Sequence, residues 1–324
     1  VELAGTIVKR ASLHNADQID KLDVRIGDWV YVEKGGEIIP KIIGVDLSRR
    51  KQGSDKIVYI NYCTECESPL VRKKGEAQHY CPNDMGCSPQ IIGRIQHYIS
   101  RKALDIEGLG GETVALLVNA GLIRDYADLY ELTADQIIHL DRMANKSADN
   151  LVNGVQASKE VSFERVLFGL GIRYVGETVA KKLAKHYKSI KALSEATLEG
   201  LETVDEIGVK IAESVVAFFK NEANIRMVSR LILYGVQLEL SEEALSNQTT
   251  QLQGLRFVVS GIFETVSRDE LKELIDSNGG KVVSSISAKT SFVVAGLNMG
   301  PSKRTKADSL KVPIISEKEF LELL

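Results

Sequence analysis

Residues 63–87 read CTECESPLVRKKGEAQHYCPNDMGC and hold all four cysteines of the chain. The spacing is Cys63-x2-Cys66-x14-Cys81-x5-Cys87. A disulfide framework spreads its staples along a chain, so thiols gathered in one stretch argue against one. Two close pairs suit a metal. Each pair can sit on a tight turn that points two sulfurs at one ion, and the residues between them can form a small hairpin. Pro82, Asn83, Asp84 and Gly86 supply turn chemistry at the second pair. Zn2+ accepts four thiolates tetrahedrally and lowers their pKa values. A shell closed by Cys63, Cys66, Cys81 and Cys87 leaves no position for water, so a structural role is expected. His79 is an alternative fourth ligand, and a redox use of the thiols is the competing reading of the motif. Arg72, Lys73 and Lys74 either meet phosphate or form a solvated hairpin tip.

On the N-terminal side the pattern is that of strands. GTIVKRASL (5–13), DWVYVEKGG (28–36), EIIPKIIGVDL (37–47) and KIVYINY (56–62) are short, alternating and separated by turns. They predict a small β-barrel or sandwich over residues 1–60. HNADQIDKLDVRIGD (14–28) is a long connection containing a turn of helix, and the single Trp29 is expected in the core or at the barrel rim.

On the C-terminal side the period changes to that of helices, from about residue 93 to 240. This region repeats. GLGGETV (108–114), RMANKSA (142–148), YVGETVA (174–180) and EIGVKIA (206–212) follow one another at offsets of 34, 32 and 32 residues. Each lies between two helical patterns, which is the helix-hairpin-helix arrangement. Glycine serves such a turn where φ is positive or where another backbone must approach. The next helix then starts with free N–H groups and a positive dipole end, which suits phosphate. An array of this kind is expected to grip the DNA backbone without reading bases, the alternative being a purely structural helical array. The copies differ. Gly108 and Gly110 are both present in the first, Gly176 in the third and Gly208 in the fourth, while the second has Arg142 and Ala144 with Lys146 following. Glu206 in the fourth copy repels phosphate.

SEEALSNQTTQ (241–251) is polar and aperiodic and reads as a linker. Residues 252–324 alternate strand and helix, a small α/β domain with a parallel sheet. The whole chain has 324 residues, 44% of them apolar, and a net charge of −3. That length suggests about two folded domains, and the charge requires any nucleic-acid surface to concentrate its positive groups locally. No apolar run is long enough to span a membrane, and no stretch reads as a signal peptide. The chain opens with Val1 inside a strand-like pattern, so it is expected to be a piece of a longer polypeptide.

The cysteine spacing, the four hairpins and the closing VVSG…NGGKVVSSISAKTSFVVAG together resemble bacterial NAD+-dependent DNA ligase. LAGTIVKRASLHN, LDVRIGDWVYVEKGGEIIP and IIGVDLSRR are similar to that family's OB-fold domain. The resemblance covers the whole chain. It implies an all-β OB barrel (1–60), a small four-cysteine zinc finger (61–92), an all-α tandem helix-hairpin-helix domain (93–240), a linker (241–251) and a C-terminal α/β BRCT domain (252–324). It also implies a protein that seals nicks in double-stranded DNA during replication and repair, in the cytoplasm with the nucleoid, as a monomer and without a membrane. In this family a lysine of a Lys-x-Asp-Gly motif takes AMP from NAD+, AMP passes to the 5′-phosphate of the nick, and the 3′-hydroxyl expels it. The nearest string here, Lys21-Leu22-Asp23-Val24, lacks the glycine. The adenylation domain, with its NAD+ and Mg2+, is therefore expected outside this chain, which is expected to contain no catalytic residue and to be inactive alone. Arg10, His14, Asn15, Arg25 and Lys34 are the OB residues expected to face DNA, since Arg and Lys suit phosphate and Asn reaches minor-groove edges. Ser260, Gly261 and Lys306 form a candidate phosphate pocket in the BRCT segment. The alternative reading is a non-enzymatic repair or recombination scaffold that joins DNA to a partner through its BRCT domain.

Overall fold

The structure is a computed structural model and describes residues 1–3, 5–33, 39–242, 249 and 251–324. Lys34 and most of the predicted linker lie outside the described residues. The chain divides into two compact units. One comprises residues 1–161, 165–177 and 208–236, the other residues 162–164, 178–207 and 237–324.

The first unit opens with β1 (Glu2–Leu3) antiparallel to β2 (Thr6–Ile7), turned by Gly5 at φ +70°. Helix α1 (Ala16–Leu22) begins where the Asn15 side chain accepts the backbone N–H of Gln18 at 3.1 Å and stops at Asp23, whose φ of 44° leaves helical space. Strands β3 (Val30–Glu33) and β4 (Lys41–Val45) pair antiparallel with a register shift at Tyr31/Val32. The stretch 56–62, expected as a further strand, joins no ladder among the described residues. It makes isolated bridges only, Arg25 with Lys56 and Tyr62 with Pro69, and Val58 and Tyr62 are exposed. Alternation alone does not make a strand where no neighbour among the described residues offers its backbone groups. Trp29 is likewise outside the core. It is 56% exposed, with the Arg49 guanidinium 3.5 Å over its ring.

The stretch between the cysteine pairs folds back as a hairpin, with Val71 and Tyr80 exchanging backbone bonds of 2.9 and 3.0 Å. Cys87 then caps α2 (Ser88–Tyr98), with Pro89 in its first turn. The helical part continues with α3 (Gly111–Asn119), α4 (Ala134–Ile137), α5 (Asn145–Ala157), α6 (Phe163–Gly169), α7 (Glu177–Tyr187), α8 (Ile190–Ser194), α9 (Leu198–Glu202), α10 (Val209–Lys220) and α11 (Glu222–Leu233). Its core is apolar with a satisfied polar thread. Tyr98 is fully buried and stacked on Tyr126 at 4.6 Å, and its hydroxyl meets that of Tyr130 at 3.0 Å. The Tyr130 hydroxyl meets Ser158 Oγ at 3.1 Å. Each phenol thus keeps a partner in a dry interior.

The C-terminal domain is a parallel four-stranded sheet of order β6-β5-β7-β8, with β5 Arg256–Ser260, β6 Lys281–Val282, β7 Phe292–Ala295 and β8 Ile314–Ser316. Helices α12 (Arg268–Ser277), α13 (Pro301–Ser309) and α14 (Glu317–Leu321) connect and follow the strands. Both sheet faces are covered, as a parallel sheet requires. Phe257, Val259, Leu271, Ile275, Val294 and Phe320 pack on one face. Val258, Ile286, Val293, Ala307 and Val312 pack on the other. Phe320 meets Phe257 edge-on at 5.7 Å and fills the last helix's core position without a Trp.

Candidate metal centre and nucleic-acid interface

The four cysteine sulfurs converge, all lying within 4.8 Å of one another. Cys63 and Cys87 Sγ are 3.9 Å apart, and Cys66 and Cys81 Sγ 3.4 Å. Tight turns aim them: the Glu67 N–H reaches Cys63 O at 2.9 Å, and the Cys87 N–H reaches Asn83 O at 3.0 Å. A tetrahedral Zn2+ with bonds of about 2.3 Å spaces its sulfurs by about 3.8 Å, so the donor set fits that ion. The thiols are unequal on their own. The Ser68 side chain hydrogen-bonded to Cys66 draws that thiol down to about 6, whereas burial pushes Cys87 up to about 12. A dication held by the four sulfurs would let all four ionise together. His79 stands outside the thiol set, tilted against the Tyr59 ring at 4.9 Å. Arg72 is paired with Asp17 of α1, and across the same hairpin Glu76 takes Arg173 at 3.0 Å. The finger is therefore tied to its neighbours by exposed ion pairs.

The four repeats share one backbone path. Their first residues, Gly108, Arg142, Tyr174 and Glu206, have φ of 80°, 63°, 66° and 67°. Three of these are not glycine, so the turn holds ordinary side chains in a conformation costing roughly 1 kcal/mol or more apiece. The last residues, Val114, Ala148, Ala180 and Ala212, are all fully buried. In between, Gly110, Ala144 and Gly208 occupy N-cap positions of α3, α5 and α10, and Gly176 directly precedes α7. The first intrahelical bond of α3 runs from Val114 N to Gly110 O at 3.0 Å, and among the described residues no acceptor takes the N–H groups of residues 111–113.

The third-position glycines are the informative ones. Gly110 and Gly208 have φ of −99° and −93°, which any residue adopts. A Cβ at Gly110, Gly176 or Gly208 would meet nothing within 4 Å. Neither conformation nor internal packing asks for glycine there. The space lies beside a helix N-terminus, where an outside group can approach the backbone. Gly154 is the opposite case, and the periodicity reading passed over it. A Cβ there would lie 2.3 Å from the Glu107 carbonyl oxygen, so α5 needs glycine to pack on the first hairpin. A lone glycine inside a helical pattern is the signal that was available. In the second copy, Ser147 Oγ bonds Ala144 N and O, and Arg142 is exposed, 3.7 Å from Glu112. Lys146 stands exposed in the first turn of α5.

Five family models cover the chain in the order of its domains. Residues 1–54 match the NAD-dependent DNA ligase OB-fold domain, and residues 62–88 the NAD-dependent DNA ligase C4 zinc finger domain. Residues 100–157 match a SAM-like helix-hairpin-helix tandem, 165–228 a helix-hairpin-helix motif, and 247–324 a BRCA1 C-terminus (BRCT) domain. Over its full length the chain is 66% identical to a DNA ligase of Christiangramia forsetii and 67% identical to one of Flavobacterium psychrophilum, covering 49% of each. It is 58% identical to a DNA ligase of Bacteroides fragilis, again over 49% of that protein. The OB-fold and zinc finger segments thus match domain models of NAD-dependent DNA ligases, and the full chain is similar to one half of curated DNA ligases. It spans about half the length of the curated relatives it matches.

The predicted OB contacts separate. Arg10 is exposed, and His14 and Asn15 line a depression of about 560 Å³ with Gln18, Lys21, Lys41 and Gln78. Arg25 is differently employed from the expectation. Its guanidinium donates to Ser54 O at 2.7 Å and to Asp23 at 3.1 Å. It belongs to a clamp that the sequence reading missed. In it, Arg50 holds the buried Asp28 carboxylate from Nε and Nη2 at 3.0 and 2.8 Å. That grip keeps the Asp28 pKa below the usual carboxylate range.

In the BRCT domain Ser260 is buried on β5, where its carbonyl accepts Gly296 N–H at 2.9 Å. Gly261, at φ +109°, lies where a Cβ would be 2.7 Å from Gly296, so its glycine answers to packing. Lys306 is exposed on α13, and no hydrogen bond joins it to Ser260 among the described residues. No helix among the described residues is long and apolar enough to cross a membrane.

Proposed function

We propose that this chain is the DNA-gripping part of an NAD+-dependent DNA ligase that seals nicks in double-stranded DNA, the adenylated lysine, NAD+ and Mg2+ being handled by another part of the same polypeptide. The observation that carries the reading is the set of third-position glycines, which open onto helix N-termini with no internal use. Phosphate oxygens approaching those N–H groups replace the missing backbone partners and meet the positive dipole end. The first and third hairpins are the strongest cradles. The second has Arg142 and Lys146 to offer phosphate. In the fourth, Gly208 lies beside two carboxylates, Asp205 and Glu206, which oppose an anion. Arg10, His14 and Asn15 add contacts from the OB domain.

Zn2+ held by Cys63, Cys66, Cys81 and Cys87 supplies no bond-making chemistry in this proposal. It fixes the joint between the OB domain and the helices. The test is binding of the chain to a nicked duplex between 50 and 200 mM salt, on the order of the range over which phosphate contacts dominate. The expected result is an affinity that falls linearly on logarithmic axes, with little sequence preference and no AMP adduct on the chain after incubation with NAD+. Salt-independent binding, or covalent AMP, would overturn it.

A further inference from the structure

The fourth hairpin keeps the backbone path of the others but carries acid at its tip. Asp205 and Glu206 are adjacent there, and Glu206 takes the positive-φ position that glycine fills in the first copy. Two lysines answer them from different elements. Lys182 of α7 lies 2.8 Å from Glu206 and 3.4 Å from Asp205. Lys281, the first residue of the BRCT edge strand β6, lies 2.5 Å from Asp205 and 3.2 Å from Glu206.

A second tie runs alongside. Lys185 of α7 donates its ammonium to the Asp276 carbonyl, in the last turn of α12, where a cation complements the helix C-terminus. Gly279 and Gly280 bring the chain from that helix to Lys281. A Cβ on Gly280 would lie 2.8 Å from Ile275, so the approach is built for glycine. The two ties border a cavity of about 740 Å³ whose cations also include Lys181 and Arg256. The carboxylates are held below their usual pKa by the lysines that grip them, Lys281 first for Asp205 and Lys182 first for Glu206.

We propose that the acidic tip of the fourth hairpin is a docking site for the chain's own BRCT domain, with Asp205 and Glu206 receiving Lys281 while Lys182 holds them in place. A hairpin type elsewhere shaped for phosphate is thereby turned to protein, by two carboxylates set beside its helix N-terminus. The contact is made of part-exposed charges, so it is reversible and weakens with salt.

Zero-length carbodiimide coupling tests this on the full chain without DNA, which keeps its outcome separate from that of the ligase reading. The reagent activates a carboxylate, a lysine amine displaces it, an amide forms and the reagent leaves as its urea. Peptide mass spectrometry then counts amides from Lys281 and from Lys182 to residues 205 and 206. The expected result is both products at low salt, with the Lys281 product falling about three- to tenfold at 0.5 M salt. Small-angle scattering adds the domain readout. Lys281→Glu should enlarge the radius of gyration, and Lys281→Glu combined with Asp205→Lys and Glu206→Lys should restore it. A Lys281 that couples to carboxylates scattered over the chain, or scattering unchanged by Lys281→Glu, would overturn the proposal. So would failure of the charge swap to restore compactness in a variant whose helical circular dichroism is normal.

Discussion

The finger and the helical array beside it are neighbours in sequence, yet they are stabilised by different means. Between Cys63 and Cys87 one residue, Cys87, is buried. The hairpin has a few backbone bonds, three part-exposed ion pairs and four converging thiols. The array buries whole side chains, among them Ile95, Leu104, Leu117, Leu129 and Leu151. A region without a core needs a ligand to fold, whereas a region with one can spare its surface for function. Each part is therefore vulnerable to a different insult.

Metal removal gives the largest expected effect. Zinc binding contributes on the order of 10 kcal/mol in small four-ligand sites. Chelation, or Cys81→Ser, should release amide protection across residues 63–87 while the amides of α2, α3 and α5 stay protected in hydrogen exchange. Nick binding should weaken because the joint is lost. A finger that stays protected without metal would remove the contrast.

The array should answer to packing instead. Leu151→Ala should cost about 2–5 kcal/mol in denaturant unfolding, with one zinc per chain retained by atomic absorption. Loss of zinc in that variant would show that the two regions are not separately held.

The glycines carry the same contrast into the array. Gly154→Ala should cost about 1–3 kcal/mol, because its methyl meets the Glu107 carbonyl. Gly110→Asp should leave stability unchanged or raise it by a few tenths of a kcal/mol, since Asp is a good N-cap near a helix dipole. Equal losses from both would mean that Gly110 is also a packing residue.

The smallest effects belong to the finger's ion pairs. Arg173→Ala should cost below about 1 kcal/mol, as exposed pairs do. The Asp17 carboxylate is held below its usual 3.8 chiefly by its hydrogen bond from Arg72. A depressed carboxylate stabilises the fold fully above its unfolded value. That contribution should therefore be complete above pH 3.8 and disappear as pH falls through the lower folded value. Asp17→Asn should flatten this acid-side slope in thermal melts.

How much of this was legible in the sequence follows the same division. Ligand spacing is local, so the four thiols could be read directly. The repeat register was legible because the turn, the buried seventh position and the helix start recur together. The side chains at the positive-φ position were not, since the turn imposes that conformation on Arg142, Tyr174 and Glu206 through tertiary context. Long-range pairing was also hidden. Nothing near Arg25 announces that Ser54 will occupy it, nothing near Glu206 announces Lys281, and the alternation of 56–62 does not say whether a partner strand exists.

Phosphate cradling by the hairpins stands or falls on nicked-duplex affinity against salt, measured for the chain and for Gly110→Asp with Gly176→Asp. Cradling predicts at least about a tenfold weaker affinity at undiminished stability. It also predicts a shallower salt slope, by about 0.9 for each phosphate that the variant no longer holds. Wild-type affinity and slope in that variant would contradict it.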